Sequence, residues 1–158
     1  MMMIIVVCTD DPELMEIAAE SVLNEPEVFL SYYKIFHSAI PPLGFEEDLF
    51  IIAHGAFQGD EGRPVIGDRD GDRDFYLNGE QCFINIRSLI PPGYKGKVYV
   101  DACQSATDSQ KIDSFITTLQ VQFLLNSLNT HVYGINGDSS GLIPLPDDLN
   151  WRPAKILR

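Results

Sequence analysis

Positive charge is scarce in this chain: 11 lysines and arginines and 3 histidines stand against 23 acidic residues, giving a formal net charge of -12 over 158 residues. Such a surface repels phosphate backbones and anionic headgroups instead of steering toward them, which argues against nucleic acid and membrane surfaces as partners. Cysteine is equally sparse. Cys8, Cys82 and Cys103 are odd in number and lack C-x-x-C spacing, so they describe neither a disulfide framework nor a zinc site. A reducing cytoplasm fits that usage. No window approaches the roughly 18 apolar residues of a membrane span. The opening run MMMIIVVC has no basic flank and gives way at once to Thr9-Asp10-Asp11-Pro12, so it reads as a buried strand and not as a signal peptide. Neither G-x-G-x-x-G nor G-x-x-x-x-G-K-[ST] occurs, and nothing else in the sequence calls for a cofactor.

What is present is a 45% hydrophobic chain long enough for one core, so residues 1–158 are expected to form a single domain. Met3 to Cys8 is continuous, apolar and β-branched, as in a parallel strand covered on both faces. Asp10-Asp11-Pro12 then looks like a helix start, followed by Leu14, Ile17, Ala18, Ser21 and Val22 at helical spacing. Glu27 to Phe36 reads as a second strand, and Leu49 to Ala53 as a third that ends at His54-Gly55. From Ala56 to Tyr76 the composition turns to Gly, Asp, Arg and Pro, the signature of a surface loop with room for a hairpin at Val65-Ile66 and Phe75-Tyr76-Leu77. Asn78-Gly79-Glu80 opens a helix to about Leu89. Lys97 to Ala102 is a fourth strand, Ser109 to Leu128 a helix, His131 to Ile135 a fifth strand, and the tail from Gly141 looks irregular. Strands alternating with helices predict an α/β class, a three-layer α/β/α sandwich around a mostly parallel sheet.

In open α/β sheets ligands bind outside the carboxyl ends of the strands. Two reactive side chains stand at such ends: LFIIA delivers His54, and VYVDA delivers Cys103. Parallel neighbours would present both on one edge, where an imidazole can assist thiolate formation and protonate a leaving amine. Gly55 would allow an unusual backbone turn beside the histidine and leave its amide unobstructed as an oxyanion donor.

These two motifs, an apolar run ending in His-Gly and, about fifty residues later, one ending in Asp-Ala-Cys, resemble the caspase-like cysteine peptidases, among them caspases, metacaspases, gingipains, separase, clostripain and CHAT domains. Asp101-Ala102-Cys103-Gln104-Ser105-Ala106 is most similar to the metacaspase motif D-x-C-H-S-G. The resemblance implies a caspase-like fold, His54 as general acid and base, Cys103 as nucleophile, and the amides of Gly55 and Cys103 as an oxyanion hole. It further implies that Asp101 faces the pocket for the substrate's first side chain and selects arginine or lysine in a peptide or protein substrate. The chain departs from metacaspases at Ala56, Gln104 and Ala106, where H-G-H and H-S-G would continue, and it is shorter than most members, so substrate-shaping loops are expected to be reduced.

Taken singly, a histidine or cysteine after an apolar strand is more often structural, and Cys8, Cys82, His37 and His131 are read that way. Asp68, Asp70, Asp72 and Asp74 alternate like calcium ligands, which many metacaspases use. However, the sixth and twelfth positions counted from Asp68 hold Arg73 and Gly79, where an EF-hand needs Gly and Glu. Arg69 and Arg73 would instead neutralise these aspartates on a solvated hairpin. Arg63, Arg69 and Arg73 are also candidate self-cleavage sites. Competing functions are a catalytically inactive caspase-like module that binds a partner through its acidic surface or sheet edge, and a small acyl hydrolase or transferase using the same dyad. His131 to Ile135 is a candidate edge strand for dimerisation, although no residue decides the oligomeric state.

Overall fold

The computed structural model describes residues 2–36, 39–59, 62–68, 75–107, 112–138 and 142–155. In chain order the strands are β1 (Met2–Val6), β2 (Phe29–Lys34), β3 (Leu49–Ile52), β4 (His54–Gln58), β5 (Arg63–Asp68), β6 (Phe75–Leu77), β7 (Val98–Asp101), β8 (Val132–Ile135) and β9 (Trp151–Pro153). The helices are α1 (Pro12–Asn24), α2 (Gly79–Ile86), extended by a 3-10 turn at Arg87–Leu89, and α3 (Phe115–Leu125). Six strands form a mostly parallel sheet in the order β2-β1-β3-β7-β8-β9, in which β9 alone runs antiparallel. A second, antiparallel sheet is made of β4, β5 and β6. The class is therefore α/β.

The continuous apolar runs become the central strands because both of their faces are covered. Met3, Ile5, Leu49, Ile51, Val98 and Val100 join Phe83, Ile86, Phe115, Leu119 and Phe123 of α2 and α3 in one core. The alternate residues Ile4, Val6, Phe50, Ile52 and Tyr99 join Leu14 and Ala18 of α1 and Trp151 of β9 in the other. Phe50 anchors this second core: its ring stacks on Tyr99 at 4.6 Å between centroids and meets Phe29 edge-on at 4.9 Å. Since Phe50 lies on β3, its packing holds the strand that leads to His54.

Helix starts follow their caps. Asp11 is the N-cap of α1, accepting from Leu14 N, with Pro12 in the first turn where its missing N–H costs nothing. Asn78 and Gln81 form a capping box at α2. α3 begins at Phe115 and not at Ser109, because Ser114 caps it by accepting from Thr117 N; Ser109 itself lies outside the described residues.

Three expectations are corrected. The segment after Ala56 is not a surface loop throughout: β5 carries Val65, Ile66, Gly67 and Asp68, all buried, so its glycine- and proline-containing sequence belongs to a covered strand. The tail is not wholly irregular, since Trp151 buries its ring in the second core and donates Nε1–H to Leu145 O at 2.8 Å, which lays β9 along β8. The strand at 132–135 is consequently no sheet edge; β9 covers it, and Pro153 on β9 has no N–H to offer a further strand.

Replacing Phe50 with alanine removes its ring contacts with Tyr99, Phe29 and Trp151 and leaves a cavity, so Phe50→Ala is expected to lower the unfolding free energy by about 3–5 kcal/mol in urea titration. A loss below about 1 kcal/mol would show that the second core does not depend on it.

Candidate functional site

Strands β3 and β7 are parallel neighbours, with Ile52 in register with Asp101. Parallel neighbours lie about 4.8 Å apart. His54 and Cys103 each follow this last matched pair by two residues, so the two strands release them at the same level of the sheet. At that point the chain divides. His54 is the first residue of β4 and pairs with Gly67 in the small sheet, whereas Cys103 enters a tight turn.

Gly55 is where the two segments meet. A Cβ at this position would stand 1.9 Å from the Cys103 carbonyl oxygen and 2.9 Å from its carbonyl carbon, so only glycine lets the two backbones approach this closely. The expected unusual turn at Gly55 is not found: it lies within β4 opposite Ile66, and the demand for glycine is steric.

The turn carrying Cys103 is held from several directions. Gln104 adopts a left-handed φ of 58°, a conformation that costs a residue with a Cβ about 1 kcal/mol or more. Its N–H donates to Gly137 O at 2.6 Å, and Ala106 N–H donates to Ile135 O at 2.9 Å. Buried Ser105 donates its hydroxyl to Val100 O at 3.0 Å and accepts from Ile135 N at 2.9 Å, tying the turn to β7 and β8. In the sequence Ser105 is visible only as part of the resemblance; its structural task could not be read without knowing that β8 lies beside β7.

His54 has a partner that the sequence did not disclose. Its Nε2 lies 2.9 Å from Oδ2 of Asp11, while Oδ1 of the same carboxylate caps α1 by accepting from Leu14 N at 3.1 Å. One aspartate thus sets the helix start and fixes the imidazole. The histidine side chain is 33% exposed and the Asp11 side chain 8%, so the pair sits at the rim, with the acid inside. Asp10-Asp11-Pro12 marked a helix start, but nothing local indicates that β4 returns to Asp11.

His54, Gly55, Cys103, Gln104 and Asp138 line one cleft of about 430 Å³, and Cys103 is partly exposed in it. Buried Asp101 is not in this cleft. It borders an adjoining recess of about 200 Å³ with Asn136, Asp138, Asn150 and Arg152, so Asp138 lines both spaces. A larger cavity of about 530 Å³ lies elsewhere, lined among others by Arg63, Glu80, Asp113 and Thr118; the Thr118 hydroxyl is committed to Phe115 O at 2.6 Å, and among the described residues no thiol or imidazole lines that cavity.

The other sequence candidates separate clearly. Cys8 and Cys82 are fully buried. Burial pushes the Cys82 thiol up to about 12. Burial also raises that of Cys8; the Asp11 backbone N–H and Lys34 oppose the rise, and the Asp68 and Asp11 carboxylates add to it. Asp68 does not stand on a solvated hairpin: it is buried at the end of β5, and one of its oxygens accepts from Thr9 and Asp10. Asp70, Asp72, Asp74, His37, Arg69 and Arg73 lie outside the described residues, and Arg63 is the first residue of β5, opposite Gln58, rather than part of a loose loop. Asp11, Glu13 and His54 offer one donor atom each within 4.8 Å of one another. Those atoms could meet a divalent cation, but the closest two already satisfy each other, and the amino end of α1 carries the positive pole that opposes a cation.

No family model and no curated protein matches the chain.

Two measurements probe this geometry. In the native protein, iodoacetamide should modify Cys103 while Cys8 and Cys82 remain unmodified until the chain is unfolded; equal labelling of all three would contradict the burial and thiol assignments. Gly55→Ala should force β4 away from Cys103 and lower the melting temperature by about 5 °C or more, as a backbone clash in a small domain implies. An unchanged melting temperature would mean that the close approach does not exist.

Proposed function

We propose that the chain is a caspase-like cysteine endopeptidase in which His54 and Cys103 form the dyad and cleavage follows a basic residue. The observation that carries the reading is the backbone meeting of Gly55 and Cys103 beside a shared cleft, which sets an imidazole and a partly exposed thiol at one strand-end level. The α/β arrangement, with helices against both faces of a mostly parallel sheet, agrees with the caspase-like fold that the two motifs imply.

Asp11 makes the chemistry directional. Nε2 of His54 donates to Asp11, which leaves Nδ1 to take the thiol proton. The Cys103 thiolate adds to the scissile carbonyl, the tetrahedral oxyanion is met by the Gly55 and Cys103 amides, and the C–N bond breaks as the imidazolium gives its proton to the departing amine. Water deprotonated by His54 then attacks the acyl-enzyme carbonyl, and the thiol leaves with that proton, restoring the starting state. In the recess beside the cleft, the Asp101 and Asp138 carboxylates outnumber the single guanidinium of Arg152, which favours a lysine or arginine side chain from the substrate. The fully buried position of Asp101 strengthens any pairing it makes there.

Reporter peptides ending in Arg or Lys should be cleaved by the native chain, and both Cys103→Ala and His54→Ala should lower the rate by about 10³-fold or more. Asp101→Ala should remove the preference for basic over neutral residues. Asp11→Asn is the more discriminating change, because asparagine still caps a helix but carries no charge. Its melting temperature should stay close to that of the native chain while kcat falls by about 10- to 100-fold. A well-folded native protein that cleaves none of these peptides would leave the noncatalytic, partner-binding module as the better reading.

A further inference from the structure

We infer that Asp68 is a positioning residue for the His54–Asp11 pair, acting from the small sheet through the turn between β1 and α1; this rests on the peptidase reading only for its effect on rate. Asp68 has no solvent exposure at all. Its Oδ2 accepts Thr9 N–H at 2.6 Å, the Thr9 hydroxyl at 3.2 Å and Asp10 N–H at 3.3 Å. The residue that follows those two donors is Asp11.

The topology gives that clasp its meaning. Asp11 belongs to the turn after β1, at the end of the large sheet's strand, whereas His54 opens β4 in the small sheet. Their contact therefore depends on how the small sheet is held against the turn. His54 is paired with Gly67, and Asp68 is the next residue on that same strand. Asp68 thus reaches from the strand paired with the one that carries the imidazole to the turn that carries its carboxylate. Gly67 fixes the other side, since a Cβ there would stand 1.7 Å from Phe75 O, so β5 has no slack against β6. From the outer strand, Lys34 Nζ donates to Thr9 O at 3.0 Å, which holds the same turn a second time.

The clasp carries a cost. Asp68 Oδ1 is buried and has no hydrogen-bond partner among the described residues. Among the described residues, half of a buried carboxylate is left unsatisfied, a loss that a neutral acceptor of similar shape would reduce. What the carboxylate supplies in return is three converging hydrogen bonds on two consecutive residues, just before the one that orients His54.

The test reads the contact itself as well as the rate. A hydrogen-bonded imidazole N–H gives a downfield proton resonance in NMR, assignable to His54 by its absence in His54→Ala and expected to vanish in Asp11→Ala. In Asp68→Ala this resonance should be lost or exchange at least about tenfold faster with water while the circular dichroism stays native, and Asp68→Asn, which keeps an acceptor for Thr9 N–H, should restore it. Where cleavage is measurable, Asp68→Ala should lower kcat about tenfold with KM within twofold of the native value. If Asp68→Ala does not fold, Asp68→Ser, too short to reach Thr9 N–H, is read in its place. A folded Asp68→Ala or Asp68→Ser with the native resonance and exchange rate overturns the inference, as does a native chain lacking the resonance. A native chain that shows the resonance and responds as described, yet cleaves nothing, would leave the positioning role standing and remove the peptidase reading.

Discussion

Everything at the strand ends depends on two backbones being allowed to touch. Where β3 gives way to β4, Gly55 meets the carbonyl of Cys103 at a distance no side chain permits. Register makes that meeting possible, since Ile52 opposite Asp101 brings the two strands to their ends together. Packing makes it permanent, because Leu49 and Ile51 are locked in one core and Phe50 and Ile52 in the other. The conformational cost at Gln104 and the hydrogen bonds of Ser105 are then intelligible as the means of turning the chain away at Cys103 without losing contact with β7 and β8.

Around this meeting point charge is arranged in layers. Asp11 is tied into a helix cap on one oxygen and to His54 on the other, so the cap fixes the carboxylate that the imidazole meets. Asp68 holds the turn that presents Asp11, and Lys34 crosses from β2 to the same turn. The acidic balance of the whole chain thus has a local expression, in which buried carboxylates do the positioning and Asp101 and Asp138 face the adjoining recess.

Much of this was legible in the sequence, and the reasons for the remainder are physical. The apolar runs at Met3, Leu49 and Val98 identified the central strands because burial on both faces leaves no polar positions to confuse the pattern. His54 and Cys103 stood out since they end such runs. β9 was missed because it is three residues long and exists through the burial of Trp151 and its pairing with β8, neither of which has a periodic signature. The hairpin allowed at Val65-Ile66 and Phe75-Tyr76-Leu77 is present as β5 and β6, but its burial was not anticipated because the Gly, Pro and Asp of β5 are turn formers by local preference, which tertiary packing overrode. Asp11 was read only as part of a helix start, which it is, and Asp68 as a possible calcium ligand; their further partners lie 43 and 59 residues away in sequence, and only the second sheet brings them together.

The central claim is that the Gly55–Cys103 junction presents one activated thiol beside one imidazole. It is tested most directly by incubating the native chain with a peptidyl chloromethyl ketone ending in arginine and mapping the adduct by mass spectrometry. The expected result is one equivalent bound to Cys103, with the rate of labelling falling by about 10²-fold or more in His54→Ala. Labelling that is unaffected by the loss of His54, or that falls equally on Cys8 and Cys82, would contradict it.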